Sequence, residues 1–76
     1  MTLNDIKVGS IFKMYDEYGV VEWEVVGVEE NLYSFEIHLN AAGFQNRPKT
    51  IFWPKLIDGY KLEYATGETY ELIKNE

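Results

Sequence analysis

The stretch VVEWEVVGVEENLYSFEIHL, residues 20–39, decides the fold class. Its first part alternates, with Val21, Trp23 and Val25 on one face and Glu22 and Glu24 on the other. After Glu29-Glu30-Asn31 the alternation resumes: Tyr33, Phe35, Ile37 and Leu39 against Ser34, Glu36 and His38. A period of two is the mark of a strand with one buried face. Glu29-Glu30-Asn31 suits a three-residue hairpin loop, a type I turn followed by a left-handed residue, which Asn tolerates. Val28 then pairs with Leu32, Trp23 faces Ile37 and Val25 faces Phe35, which places these last four on one buried face. A slip of one residue would set Glu24 beside Phe35, and the hydrophobic pattern rejects it. Gly27, inside the first strand, marks a bulge or bend.

The same pattern extends outward in both directions. Gly9-Ser10 opens SIFKMY, and DEYG (Asp16 to Gly19) follows with the Asp and Gly of a type I turn. Downstream, NAAGFQNRPK is a loop, TIFW a strand, and YKLEY with ETYELI a hairpin turning at Ala65-Thr66-Gly67. Helical signals are confined to one turn at Leu3–Lys7, capped by Asn4, and one at Pro54–Ile57. About five short antiparallel strands in one small domain, residues 1–76, leave sheet edges that closure removes. The expectation is an all-β, small antiparallel barrel or strongly bent sheet. The order of parts resembles an SH3-like barrel, with an OB-like barrel the alternative; this is a resemblance of fold pattern and implies no functional residues.

The 76 residues contain no cysteine and one histidine, His38. Disulfides and cysteine-ligated metals are excluded, so stability rests on packing by two Trp, six Tyr and four Phe with the aliphatic residues. No apolar run approaches the ~20 residues of a membrane span, and no charged, apolar, small-residue succession opens the chain as a signal peptide does. The expected location is the cytoplasm. No catalytic, cofactor or metal site is expected. Ser10 and Ser34 lack a nucleophile elbow, no glycine loop is built to cradle phosphate, and no calcium-loop spacing occurs.

Charge is unevenly distributed within a net −6. Residues 1–37 hold eight acids and two bases, whereas residues 38–61 hold one acid and four bases. Two surfaces follow. Phe44, Arg47, Lys49, Phe52, Trp53 and Lys55 form a basic, aromatic segment, in which Ile51 and Trp53 face one way and Phe52 the other. An exposed edge of Trp53 is expected there. Glu22, Glu24, Glu36 and His38 form an acidic face, with Glu24 opposite Glu36 and Glu22 opposite His38. An aromatic beside Arg suits the centre of a protein interface. A net negative field opposes nucleic acid, which leaves a nucleic-acid-binding barrel using residues 44–61 as the alternative. The expected function is a non-catalytic protein-binding module, a small acidic inhibitor or adaptor acting on a cytoplasmic partner, by analogy with phage-encoded inhibitors that occupy an enzyme's nucleic-acid groove. No membrane partner is expected.

Overall fold

The computed structural model describes residues 5–44, 46–57 and 59–73. Six strands form one antiparallel sheet: β1 (Ile11–Asp16), β2 (Gly19–Glu30), β3 (Ser34–Ala41), β4 (Pro48–Pro54), β5 (Lys61–Glu63) and β6 (Thr69–Ile73). Their order is β4-β3-β2-β1-β6-β5. A four-strand meander thus takes the last hairpin on the free side of its first strand, which fits the SH3-like order of parts. No helix occurs among the described residues, and so none that is long and apolar enough to cross a membrane. The count of six agrees with the expectation of about five, and Lys61–Glu63 and Thr69–Ile73 pair as the expected last hairpin.

The sheet curls strongly into a half-barrel. β2, at twelve residues, is too long to lie straight along any side of a molecule measuring 31 × 26 × 24 Å. It bends at a bulge between Val25 and Gly27. Before the bulge Trp23 and Val25 point inward; after it Val28 does, because the extra residue inverts the alternation. The concave face gathers Phe12, Val25, Ile37, Leu39, Trp53 and Tyr70, all fully buried. Phe12 and Trp53 meet at 5.7 Å between ring centroids.

The β1–β2 connection is the two-residue loop Glu17-Tyr18, as DEYG implies. Asp16 Oδ1 accepts from the backbone N–H groups of Tyr18 (2.7 Å) and Gly19 (3.1 Å). Gly19 adopts φ 138°, a conformation that side chains disfavour. The β5–β6 turn at residues 65–67 is also found, closed by Gly67 N–H to the Tyr64 carbonyl at 3.0 Å.

The β2–β3 register differs from expectation. Trp23 lies opposite Ala41 rather than Ile37, Val25 opposite Leu39 rather than Phe35, and Val28 opposite Ile37 rather than Leu32. β2 runs through Glu29 and Glu30, and the loop is Asn31-Leu32-Tyr33, closed by Asn31 N–H to the Ser34 carbonyl at 2.8 Å. Asn31 is not left-handed. Val25, Phe35 and Ile37 are buried as expected, but Trp23 is half-buried and Tyr33 exposed. Of the two expected helical turns, the one at Pro54–Ile57 is found and the one at Leu3–Lys7 lies partly outside the described residues, at Leu3 and Asn4. Lys7–Ser10 is a turn docked on Val25 through Gly9 N–H to the Val25 carbonyl and Val25 N–H to the Ser10 carbonyl, each 2.8 Å. At Pro54–Ile57 a single bond joins Ile57 N–H to the Pro54 carbonyl.

Candidate functional site

Strand parity sorts the basic, aromatic segment. On β4, Lys49, Ile51 and Trp53 face the concave side, and Pro48, Thr50, Phe52 and Pro54 face out. Trp53 is fully buried and presents no edge to a partner. Its inward neighbours are apolar, so the ring fills the half-barrel rather than its rim. Phe52 is 51% exposed on the outer face.

The bases do not form a patch. The Lys49 ammonium turns into the mouth of the half-barrel, 3.3 Å from Glu68 Oε2 and over the rings of Trp23 (5.4 Å) and Tyr70 (5.2 Å). Lys55 is 3.3 Å from Glu30 Oε2 and stacks over Phe35. Arg47 lies over the exposed Phe44 ring at 4.9 Å. Arg47 and Lys55 flank a strand of seven residues, so they stand roughly 20 Å apart or more. Asn40 shapes the Phe44–Arg47 loop. Its Oδ1 accepts from Arg47 N–H at 3.0 Å, and its Nδ2 donates to the Phe44 carbonyl.

Lys49, Glu68 and Tyr70 form a network at one end of the molecule. The Tyr70 hydroxyl donates to Glu68 Oε2 at 3.0 Å. Burial first, and then the Glu68 carboxylate, hold the Tyr70 hydroxyl well above the usual tyrosine range. Burial raises Tyr64 as well, and its hydroxyl donates to the Phe52 carbonyl at 2.9 Å. A shallow groove of about 140 Å³ lies over this network, and one of about 250 Å³ lies between the turns at residues 16–18 and 66–68.

The acidic face is divided too. Glu22 pairs across the ladder with Lys13, which pairs on its other side with Glu71. Glu24 lies opposite Asn40 and Ile11, not Glu36. Glu36 and His38 are instead joined by Glu29, which the expected register had placed in a loop. His38 Nε2 is 2.9 Å from Glu36 Oε2 and 3.9 Å from Glu29 Oε2. His38 Nδ1 lies 3.3 Å from Thr50 Oγ1 on β4. Gly27 sits directly across from His38, and a Cβ there would meet the ring and Cβ of His38 at 3.7 and 3.8 Å.

The β3–β4 register then brings the two expected surfaces together. Phe52 is the direct cross-strand partner of Glu36. An exposed aromatic therefore adjoins the Glu29–Glu36–His38 cluster on one outer face. Glu29 and the contact with Phe52 escaped sequence reading because both depend on register, and no residue type announces them. Comparison of the chain with protein-family models, curated proteins and solved structures gives no match. The class that fold and site define is a small all-β half-barrel with an aromatic and acidic outer face.

Proposed function

We propose that the chain is a non-catalytic protein-binding module, a small acidic inhibitor or adaptor, whose outer face docks a basic segment of a partner protein. The observation that carries this reading is Phe52, half exposed and directly opposite Glu36. An apolar anchor next to Glu29 and Glu36 offers both halves of what an arginine- or lysine-bearing surface needs: a ring for contact and carboxylates for charge. The net charge of −6 steers such a partner inward. Two of the bases that would hold phosphates are already engaged, Lys49 by Glu68 and Lys55 by Glu30, which favours protein over nucleic acid.

Capture from native lysate, with and without nuclease, tests this. The expected partner is basic, survives nuclease, and is lost both with Phe52→Ala and with rising salt. Capture unaffected by Phe52→Ala and by Glu36→Gln overturns the reading. Tight saturable binding of single-stranded DNA or RNA at low salt, lost with Arg47→Ala, would make Phe44 and Arg47 the site and nucleic acid the ligand.

A further inference from the structure

We propose that Glu29, Glu36 and His38 form a binding site for a divalent first-row transition metal, with Zn²⁺ the best-matched ion. Each residue offers one ligand atom, and these atoms all lie within 4.8 Å of one another. Donors around a tetrahedral zinc at ~2.0–2.1 Å stand roughly 3.3 Å apart. Closing the set therefore takes a shift of about an ångström or more, and Glu29, with its side chain 68% exposed, is free to make it.

Two features distinguish this cluster from carboxylates that happen to share a surface. The imidazole is held on three sides. β3 carries it, Gly27 of β2 lies beneath it, and Thr50 of β4 bonds its far nitrogen. A hydrogen bond to the nitrogen that does not bind metal is the usual way a ligating histidine is oriented. The Thr50 hydroxyl serves either tautomer, since it both donates and accepts. When a metal takes Nε2, the proton moves to Nδ1 and is donated to Thr50 Oγ1. The second feature is electrostatic. Glu29 and Glu36 are direct cross-strand partners, a like-charge pairing that costs stability and that a cation between them reverses. Lys55 does not do this work, because it is drawn to Glu30.

The donor set selects the ion. An imidazole nitrogen favours zinc and its neighbours over magnesium and calcium, which would want more oxygen donors than two carboxylates supply. Solvent completes the coordination on the open side. The site shares its carboxylates with the proposed contact face but does not need Phe52, so the two readings fail separately.

The test is titration of the full chain with Zn²⁺, followed by calorimetry and by NMR of the imidazole nitrogens. His38 is the chain's one histidine, so its signal is unambiguous. The expected result is one ion per chain, a shift at His38 Nε2, reversal by EDTA, and no such shift with Mg²⁺. Binding is expected to vanish with His38→Ala and to weaken about tenfold or more with Glu29→Gln and with Thr50→Val. Phe52→Ala is expected to leave it intact. No saturable His38 shift up to millimolar Zn²⁺ overturns the proposal, as does a shift indifferent to both Glu29→Gln and Glu36→Gln. Glu29 is exposed enough for its variant to fold even where His38→Ala does not.

Discussion

Gly27 lies directly across the ladder from His38, at the point where β2 bulges, and the absence of a side chain there gives the imidazole its floor. The contact is not tight, however. A methyl at Gly27 would sit at ordinary van der Waals distance from the ring, and its φ is not positive. Gly27→Ala is therefore expected to change stability by less than about 1 kcal/mol, and the entropy lost by strand glycine leans it toward a gain. Gly19, at φ 138° in the β1–β2 turn, is the contrasting case. Gly19→Ala is expected to cost about 1–3 kcal/mol. Urea midpoints of the two variants check the order.

The two tryptophans are expected to respond unequally to truncation. Trp53 is fully buried against Phe12, whereas Trp23 is half-buried at the edge of the core. Trp53→Ala is expected to cost about 3–5 kcal/mol, enough to unfold a marginal domain of this size. Trp23→Ala is expected to cost about 2 kcal/mol and to leave a cooperative fold. Thermal unfolding by circular dichroism decides; equal losses would contradict the packing.

Alkaline pH is expected to weaken the fold through Tyr70 and Tyr64. Both hydroxyls are held protonated above the ordinary tyrosine value of 10.0 by burial and by Glu68. The unfolded chain therefore releases these protons first. The stabilisation is complete below about pH 10 and is lost progressively as pH rises above it. Tyr70→Phe, which has no proton to release, is expected to show a shallower decline over that range. Tyrosinate absorbance recorded during unfolding at several alkaline pH values checks this.

Lys49 is expected to act through its charge at the mouth of the half-barrel. Lys49→Met keeps the stem and removes the ammonium. The loss is expected to be about 0.5–1 kcal/mol, because both partners of the Lys49–Glu68 pair are about a third exposed and water screens them. The double change with Glu68→Gln is expected to cost less than the sum of the single ones. Strict additivity in chemical denaturation would show that the pair contributes nothing.

Alternation in the sequence assigned most inward faces correctly. Val25, Phe35, Ile37 and Leu39 are all buried, and the turns at residues 16–19 and 65–67 stand where their Asp and Gly residues place them; on β4 the alternation left open which set faces the core, and it is Ile51 and Trp53. The β2–β3 register did not follow from the same pattern. Up to the bulge the strands slide by four residues, which preserves every face there since the side-chain period is two, and so hydrophobicity rejects odd slips while remaining blind to even ones. Asn31 near the middle of the stretch suggested an earlier turn than the chain makes. Gly27 was visible as a bend, but its extra residue also inverts the alternation beyond it, which carries Glu29 outward into line with Glu36. Lys49 was read as surface from its residue type. Its stem in fact follows the inward parity of Ile51 and Trp53, and Glu68, nineteen residues on, receives its charge.

Between β4 and β5 no strand pairing links the two ends of the sheet among the described residues. Among the described residues, the polar contacts across that gap include a tyrosine hydroxyl on a carbonyl, at 2.9 Å from Tyr64 to Phe52, and Lys49, which meets Glu68 and lies over the Tyr70 ring. The molecule is thus a clasp rather than a ring. Parting along this line is expected to leave all five ladders intact and to cost less than global unfolding. Because that opening breaks no ladder, native-state hydrogen exchange should show the paired amides of all six strands yielding only when the whole chain unfolds, while the Tyr64 and Lys49 contacts break earlier.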